Sequence, residues 1–145
     1  SGIDIKSDRT LNPRNTVLIH EAGHVFGNLC DEYSDAKAYS DSPNFSYSPD
    51  PEKVSWKRFL NHPNYSSRVG IYPKNGGYVP HNSEIYSTVM GGYSNKNFSS
   101  PSRFSIFEEI LLHATMDEQR EYTMDKETIW QMFLEYDVIN NDLPF

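Results

Sequence analysis

The sequence predicts an α+β domain with helices near both ends of the chain and short strands between them. Three observations support this prediction. Apolar residues recur at helical spacing after residue 12 and again after residue 102, and the section between is rich in Pro, Gly, Ser, Asn and Tyr. A chain of 145 residues suits one domain with one hydrophobic core.

The first helix is predicted in the stretch NPRNTVLIHEAGHVFGNL, which begins at Asn12. Asn12 or Asn15 suits the N-cap, and Pro13 is tolerated in a first turn because its missing N–H would be unpaired there anyway. The two histidines of the stretch are expected on the side away from the core. The predicted core side consists of Leu18, Ala22, Val25 and Leu29, at helical steps of four, three and four.

The middle section, residues 34–102, contains seven of the nine prolines. It predicts irregular chain with a few short strands or turns, and irregular segments of this length inside a domain are usually functional. The stretch KVSWKRFLNH within it predicts one or two helical turns anchored by Trp56, with further apolar contacts from Val54, Phe59 and Leu60.

Two helices are predicted after this section. In SRFSIFEEILLHATMDE, Ser102 or Ser105 is the candidate cap, and the apolar side is Phe104, Phe107, Leu111 and Ala114. In DKETIWQMFLEYDV, the apolar side is Ile129, Met132, Phe133 and Tyr136.

Charge and composition narrow the classes of partner. The net charge of −7 disfavours nucleic acid and anionic membrane surfaces. No apolar run approaches the ~20 residues that a transmembrane helix needs, and the first residues, SGIDIKSDRT, lack the pattern of a signal peptide. The single cysteine, Cys30, excludes an internal disulfide.

The stretch HEAGH points to metal chemistry. His20 and His24 are one helical turn apart, so both imidazoles can bind one ion, and Glu21 projects beside them. A zinc hydrolase needs both a metal ion and a carboxylate, which have different roles. The ion lowers the pKa of its water to roughly 7, and the carboxylate removes a proton and later delivers it to the leaving amine.

Two further features favour a catalytic zinc site. Such a site has three protein ligands, and a third ligand can follow the helix directly if the chain turns sharply. Gly27 and Asn28 best tolerate the left-handed backbone conformation of such a turn. Downstream, TVMGG places Met90 beside two glycines, where a tight turn would bring a thioether beneath the metal.

These residues resemble the metzincin peptidases, whose pattern is HExxHxxGxx followed by a His or Asp ligand and later a Met-turn. The likeness is closest to the igalysins, the IgA-peptidase family of metzincins, through DEY at Asp31–Tyr33 and through SGIDI, VSWKRFL, VGIYPKNGGYVPHNS and STVMGG. The resemblance implies that His20 and His24 are ligands of one Zn²⁺, Glu21 is the general base and acid, and Asp31 is the third ligand. It also implies that Met90 is the Met-turn methionine.

The third ligand departs from the usual spacing. A strict count from His24 points to Cys30, and Asp31 comes one residue later. If the turn pivots at Asn28 rather than Gly27, Asp31 regains the usual distance from the pivot. Asp31 is therefore favoured, with Cys30 as the alternative because a thiolate also binds zinc. Glu32 ranks third; its simpler interpretation is a surface carboxylate or a carboxylate that orients a ligand histidine.

Other candidate residues are weaker. Tyr93, or else Tyr86, could stabilise an oxyanion near the Met-turn, although Gly92 occupies the usual tyrosine position. A different zinc-peptidase pattern would take its third ligand from Glu108 or Glu109, far downstream. Three more histidines are expected to be solvated or hydrogen-bonded rather than ligating: His62, His81 and His113.

The resemblance also sets expectations for the whole chain. Metzincins carry a twisted sheet before the zinc helix, and only 19 residues precede His20, so that sheet is expected to be largely absent here. Residues 1–145 would form one metallopeptidase catalytic domain or its C-terminal portion. The predicted function is hydrolysis of protein or glycoprotein substrates by an exported or surface-attached bacterial enzyme. The alternative is an inactive, zinc-stabilised module that binds protein or glycan.

Overall fold

The computed structural model describes residues 13–33, 41–85, 87–92 and 97–140, without the side chains of residues 13, 14 and 138–140. Over these residues the chain is a small α+β domain, as the sequence predicts. None of the described helices is both long and apolar enough to cross a membrane. The elements in chain order are α1 (Pro13–Gly27), α2 (Lys57–Leu60), β1 (Tyr72–Lys74), β2 (Gly77–Val79), a 3₁₀ turn (Val89–Gly91), α3 (Ser100–Ala114) and α4 (Lys126–Asn140).

The two strands form an antiparallel hairpin in which Tyr72 pairs with Val79 and Lys74 with Gly77. Asn75 and Gly76 connect them with φ angles of 56° and 78°. Two consecutive residues at positive φ give the turn that matches the twist of a hairpin, and Asn-Gly is the preferred pair for it. The predicted short strands therefore owe their position to two turn residues.

A cluster of rings and aliphatic side chains, which we call the aromatic core, joins the middle section to α3 and α4. The predicted anchor, Trp56, is buried and donates its indole N–H to the Gly70 carbonyl at 2.8 Å. Phe59 from α2 meets Trp130 from α4 edge to face, with ring centroids 5.1 Å apart. The buried members of the aromatic core are Val54, Trp56, Phe59, Tyr65, Val69, Trp130 and Phe133.

A buried carboxylate borders the aromatic core. Asp137 of α4 accepts a hydrogen bond of 2.6 Å from the Tyr65 hydroxyl and two from the Arg103 guanidinium, at 2.9 and 3.0 Å. Burial and the Asp137 charge raise the pKa of the Tyr65 hydroxyl, so it remains a donor. These bonds tie the middle section, α3 and α4 together.

The predicted core side of α1 is wrong in part. Leu29 is buried, but Leu18 and Val25 are 69% and 75% exposed, whereas His20 is only 2% exposed. The packed side is instead the one that carries Gly23 and Gly27. At about 100° per residue, Leu18 lies some 140° from Gly23, so the close approach at the glycines turns the larger apolar side chains outward.

The two C-terminal helices are confirmed, with small corrections. α3 begins at Ser100 with Ser99 as its N-cap residue, three residues before the predicted cap Ser102 and six before the alternative, Ser105. In α4, Ile129 and Phe133 are buried as predicted, whereas Met132 and Tyr136 are exposed. Trp130, absent from the predicted apolar side, is buried in their place.

Candidate metal centre

The helix α1 presents two imidazoles whose orientation is fixed by backbone carbonyls. His20 Nδ1 lies 2.8 Å from the carbonyl oxygen of Val89, at the start of the 3₁₀ turn. His24 Nδ1 lies 2.7 Å from the carbonyl oxygen of Leu29, just beyond α1. Because a carbonyl can only accept, both Nδ1 atoms carry the proton and donate it. In each neutral imidazole, Nε2 is then a bare acceptor.

The turn predicted after α1 pivots at Asn28. Its φ angle is 51°, in the left-handed region, whereas Gly27 has no positive φ and ends the helix. The Leu29 N–H reaches back to the Gly23 carbonyl at 3.3 Å, and the Ser105 hydroxyl donates to the Gly27 carbonyl at 2.8 Å. The pivot at Asn28 is thus confirmed, and the chain returns toward the histidines.

Asp31 arrives at the two imidazoles. Its Oδ1 atom lies 2.8 Å from His20 Nε2 and 3.2 Å from His24 Nε2. The two Nε2 atoms are 3.1 Å apart. Oδ2 of Asp31 accepts a hydrogen bond of 3.1 Å from the Tyr33 hydroxyl. We call His20, His24 and Asp31 the histidine site.

The histidine site suits a cation. Two bare Nε2 atoms and one carboxylate oxygen converge, and three acceptors at this separation repel one another unless positive charge lies between them. A single proton can sit between only one pair, whereas one metal ion meets all three atoms. Tetrahedral ligands at the zinc–nitrogen distance of about 2.0–2.1 Å are about 3.3–3.4 Å apart. The observed separations of 2.8, 3.1 and 3.2 Å are somewhat shorter.

Glu21 stands beside the histidine site on the solvent side of α1. Its side chain is exposed, and its carboxylate and the two imidazoles offer ligand atoms within 4.8 Å of one another. The Asp31 carboxylate lies closer to the two imidazoles, at 2.8 and 3.2 Å. Glu21 therefore lies close enough to the two imidazoles to contact a molecule bound between them.

Met90 lies against α1 at the level of the histidines and is fully buried. A Cβ atom added to Gly23 would come within 2.7 Å of the Met90 sulfur and 2.8 Å of the Phe98 ring. Only a glycine leaves room for this thioether. The 3₁₀ turn thereby brings the Val89 carbonyl to His20 and the Met90 sulfur against α1 at Gly23.

Glu32 points away from the histidine site into a buried polar group, which we call the Glu32 cluster. Oε1 of Glu32 accepts from the Asn44 amide at 2.8 Å, and Oε2 accepts from the Thr88 hydroxyl at 2.6 Å. His81 Nε2 lies 3.4 Å from Oε2. Burial holds the pKa of the His81 imidazole below its ordinary value, against the opposing influence of Glu32. The Glu32 cluster consists of Glu32, Asn44, His81 and Thr88.

Cys30, the alternative ligand, is held through its backbone. Its N–H donates to Asn44 Oδ1 and its carbonyl accepts from Asn44 Nδ2, both at 2.8 Å. The contacts that reach both histidine Nε2 atoms come instead from Asp31. The geometry favours Asp31 over Cys30.

The remaining candidates lie elsewhere. Glu109 is 3.2 Å from His113 on the exposed side of α3, and the pKa of the Glu108 carboxyl is raised by burial beside α2. His62 Nδ1 accepts from the Asn64 N–H. Tyr93 and Tyr86, the candidate oxyanion stabilisers, lie outside the described residues.

Sequence reasoning missed three partners of the Asp31 segment: Tyr33, Asn44 and Thr88. Two of them had a signal in the sequence, because Tyr33 belongs to the DEY stretch and Thr88 to the stretch around Met90. Asn44 had none, since it is one of many asparagines in irregular chain.

In comparisons with known proteins, no family model, curated protein or solved structure matches this chain.

Proposed function

We propose that this chain is a zinc metalloendopeptidase domain of metzincin type, similar to the igalysins, which hydrolyses peptide bonds of protein or glycoprotein substrates. One observation carries the proposal. His20 Nε2, His24 Nε2 and Asp31 Oδ1 converge within 3.2 Å, with both Nδ1 protons already donated to carbonyls. This leaves three acceptors for one cation and makes Asp31 the third ligand.

Each ligand is held from behind. Backbone carbonyls fix both imidazole rings, and the Tyr33 hydroxyl holds the second oxygen of Asp31. Such outer partners orient the ligands and commonly account for ten- to a hundred-fold in metal affinity, an order-of-magnitude figure. A bound zinc ion would supply Lewis acidity toward the substrate carbonyl and acidify the attacking water.

Glu21 supplies the proton transfers. It follows His20 directly, belongs to the same close group as the two imidazoles, and is exposed on the side from which a substrate can approach. Its carboxylate accepts a proton from the attacking water and passes that proton to the leaving amine. A purely structural site needs no such base, so Glu21 favours an enzyme over an inactive zinc-stabilised module that binds protein or glycan.

The metzincin assignment rests on the combination of parts. The zinc helix, the turn at Asn28, the Asp ligand and a buried methionine beneath the helix occur together and in the order of that pattern. The same resemblance favours a bacterial enzyme that acts outside the cytoplasm, on exposed proteins.

The test is the variant Glu21→Gln, with Glu118→Gln as the control for an exposed carboxylate. Glu21→Gln is expected to bind about one zinc per chain and to lose about 10²–10⁴-fold in cleavage of fluorescein-labelled casein, the usual scale of general acid–base catalysis. Glu118→Gln should retain both properties. Undiminished cleavage by Glu21→Gln would refute the base, and zinc binding without cleavage by the unaltered protein would favour the binding module.

A further inference from the structure

The segment from Cys30 to Glu32 is held at both ends by buried polar contacts. At one end, the carboxamide of Asn44 bonds both the N–H and the carbonyl of Cys30 at 2.8 Å. At the other end, the Glu32 N–H donates to the Met90 carbonyl at 2.7 Å. Asp31 lies between these two attachments. Its backbone position is therefore set by hydrogen bonds that do not involve the histidines.

The Glu32 carboxylate joins the two attachments. It is fully buried, and it receives the Asn44 amide on one oxygen and the Thr88 hydroxyl on the other. A carboxylate is an acceptor only, and its known partners here are donors. Replacing it by an amide would leave one acceptor oxygen for two donors, so either the Asn44 amide would face an N–H or the Thr88 hydroxyl would lose the acceptor of its proton. An unsatisfied buried polar group is costly.

We infer that Glu32 is a positioning residue for the metal centre. Through Asn44 and Thr88 it locks the Cys30–Glu32 segment against the Met-turn, so that Asp31 and not Cys30 presents its side chain to the two imidazoles. This inference builds on the proposed zinc site, but it concerns metal affinity and ligand geometry rather than peptide cleavage.

The side-chain directions support this role. The side chains of Asp31 and Glu32 diverge, one toward His20 and the other toward Thr88. A slip of the segment by one residue would exchange these directions and place a different residue at the histidines. The Glu32 cluster opposes the slip, because the carboxylate at position 32 accepts from the Asn44 amide on one oxygen and from the Thr88 hydroxyl on the other.

The first test compares Glu32→Gln with the unaltered protein. Zinc dissociation constants are measured by competition with a chromophoric chelator, and the cobalt-substituted proteins are compared by visible absorption. Glu32→Gln is expected to raise the zinc dissociation constant about ten- to a hundred-fold. It should also change the cobalt spectrum, because Asp31 is no longer held in one geometry.

A milder pair keeps the test decisive if Glu32→Gln fails to fold. Thr88→Val removes the 2.6 Å hydroxyl bond to Glu32, and Tyr65→Phe removes the 2.6 Å hydroxyl bond to the other buried carboxylate, Asp137. Thr88→Val is expected to weaken zinc binding by about three- to ten-fold, the scale of one hydrogen bond. Tyr65→Phe should leave zinc affinity within about two-fold of that of the unaltered protein. Thr88→Ser, which retains the hydroxyl, should also bind zinc about as tightly as the unaltered protein.

The outcomes separate this inference from the proposed function. Unchanged zinc affinity and an unchanged cobalt spectrum in both Glu32→Gln and Thr88→Val would overturn the role of Glu32, even if the unaltered protein cleaves casein. Equal losses of affinity in Thr88→Val and Tyr65→Phe would also overturn it. The predicted changes in a protein that binds zinc without cleaving casein would support the role of Glu32 and refute the peptidase.

Discussion

The aromatic core and the histidine site are stabilised by opposite kinds of contact. In the aromatic core, buried rings meet edge to face, as Phe59 does with Tyr65 at a centroid distance of 4.9 Å. Each such contact is favourable by itself. In the histidine site, His20, His24 and Asp31 bring acceptor atoms together, and the contact becomes favourable only when a cation lies between them.

The two regions therefore obtain their stability from different sources. The aromatic core gains free energy from the burial of apolar surface and needs no ligand. Beside the histidine site, α1 packs at Gly23 and Gly27 against a smaller apolar cluster, whose buried members are Leu29, Val89 and Met90. We therefore expect metal binding to stabilise the local fold at the histidine site and to have little effect on the local fold of the aromatic core.

The greatest loss of stability is expected from a substitution in the aromatic core. Phe59→Ala should lower the free energy of unfolding by about 3–5 kcal/mol, because it leaves a cavity among Trp56, Tyr65 and Trp130. Denaturant unfolding of the metal-free protein measures this loss. The zinc dissociation constant of the folded fraction should stay within about three-fold, because sites without shared partners act independently. A large change in that constant would show that the two regions are not separate.

A substitution in the histidine site should instead weaken zinc binding. Asp31→Ala should raise the zinc dissociation constant at least about a hundred-fold, because a four-ligand zinc site supplies about 10–16 kcal/mol in total. Cys30→Ala is the matched control and should change the constant by less than about three-fold. Chelator competition measures both variants. The reverse order would make Cys30 the ligand.

Metal removal sharpens the comparison without a mutation. At a zinc concentration about thirty times the dissociation constant, binding should stabilise the native state by about 2 kcal/mol. Hydrogen exchange should show that chelation speeds exchange in the last two turns of α1, whereas α4 amides near Trp130 change less. Equal acceleration in both helices would contradict local coupling.

The smallest effect concerns the exposed apolar side of α1. Leu18→Ser should change the free energy of unfolding by less than about 0.5 kcal/mol, because Leu18 is 69% exposed. Leu29→Ser, at a buried position, should cost several times more. Thermal unfolding of the two variants compares them. A large loss in Leu18→Ser would show that this side of α1 is covered in the folded protein.

The sequence predicts the parts of the site that depend on local geometry. The spacing of His20 and His24 places both rings on one side of a helix. The tolerance of glycine and asparagine for positive φ predicts a turn at Gly27 or Asn28, and the structure selects Asn28. The helical turns near Trp56 and both C-terminal helices are likewise local patterns. The cap of α3 shifts from the predicted Ser102 to Ser99, because several serines lie close together at the start of this helix.

What depends on distant contacts could not be predicted. Apolar spacing favours Leu18 and Val25 as the core side of α1, but the partner surface of Met90 and Ile106 selects the glycine side. The contact between Glu32 and Thr88 spans 56 residues of chain. No periodicity in irregular chain indicates which of its polar residues will meet a buried carboxylate.

The close approach of Met90 to Gly23 links two distant positions of the chain. The methionine sulfur fills the volume that a side chain at position 23 would need. Among related sequences, residue size at positions 23 and 90 should therefore vary in a compensating way, with a larger residue at one position accompanied by a smaller residue at the other. An engineer who wishes to change the methionine must treat the two positions as a single design variable.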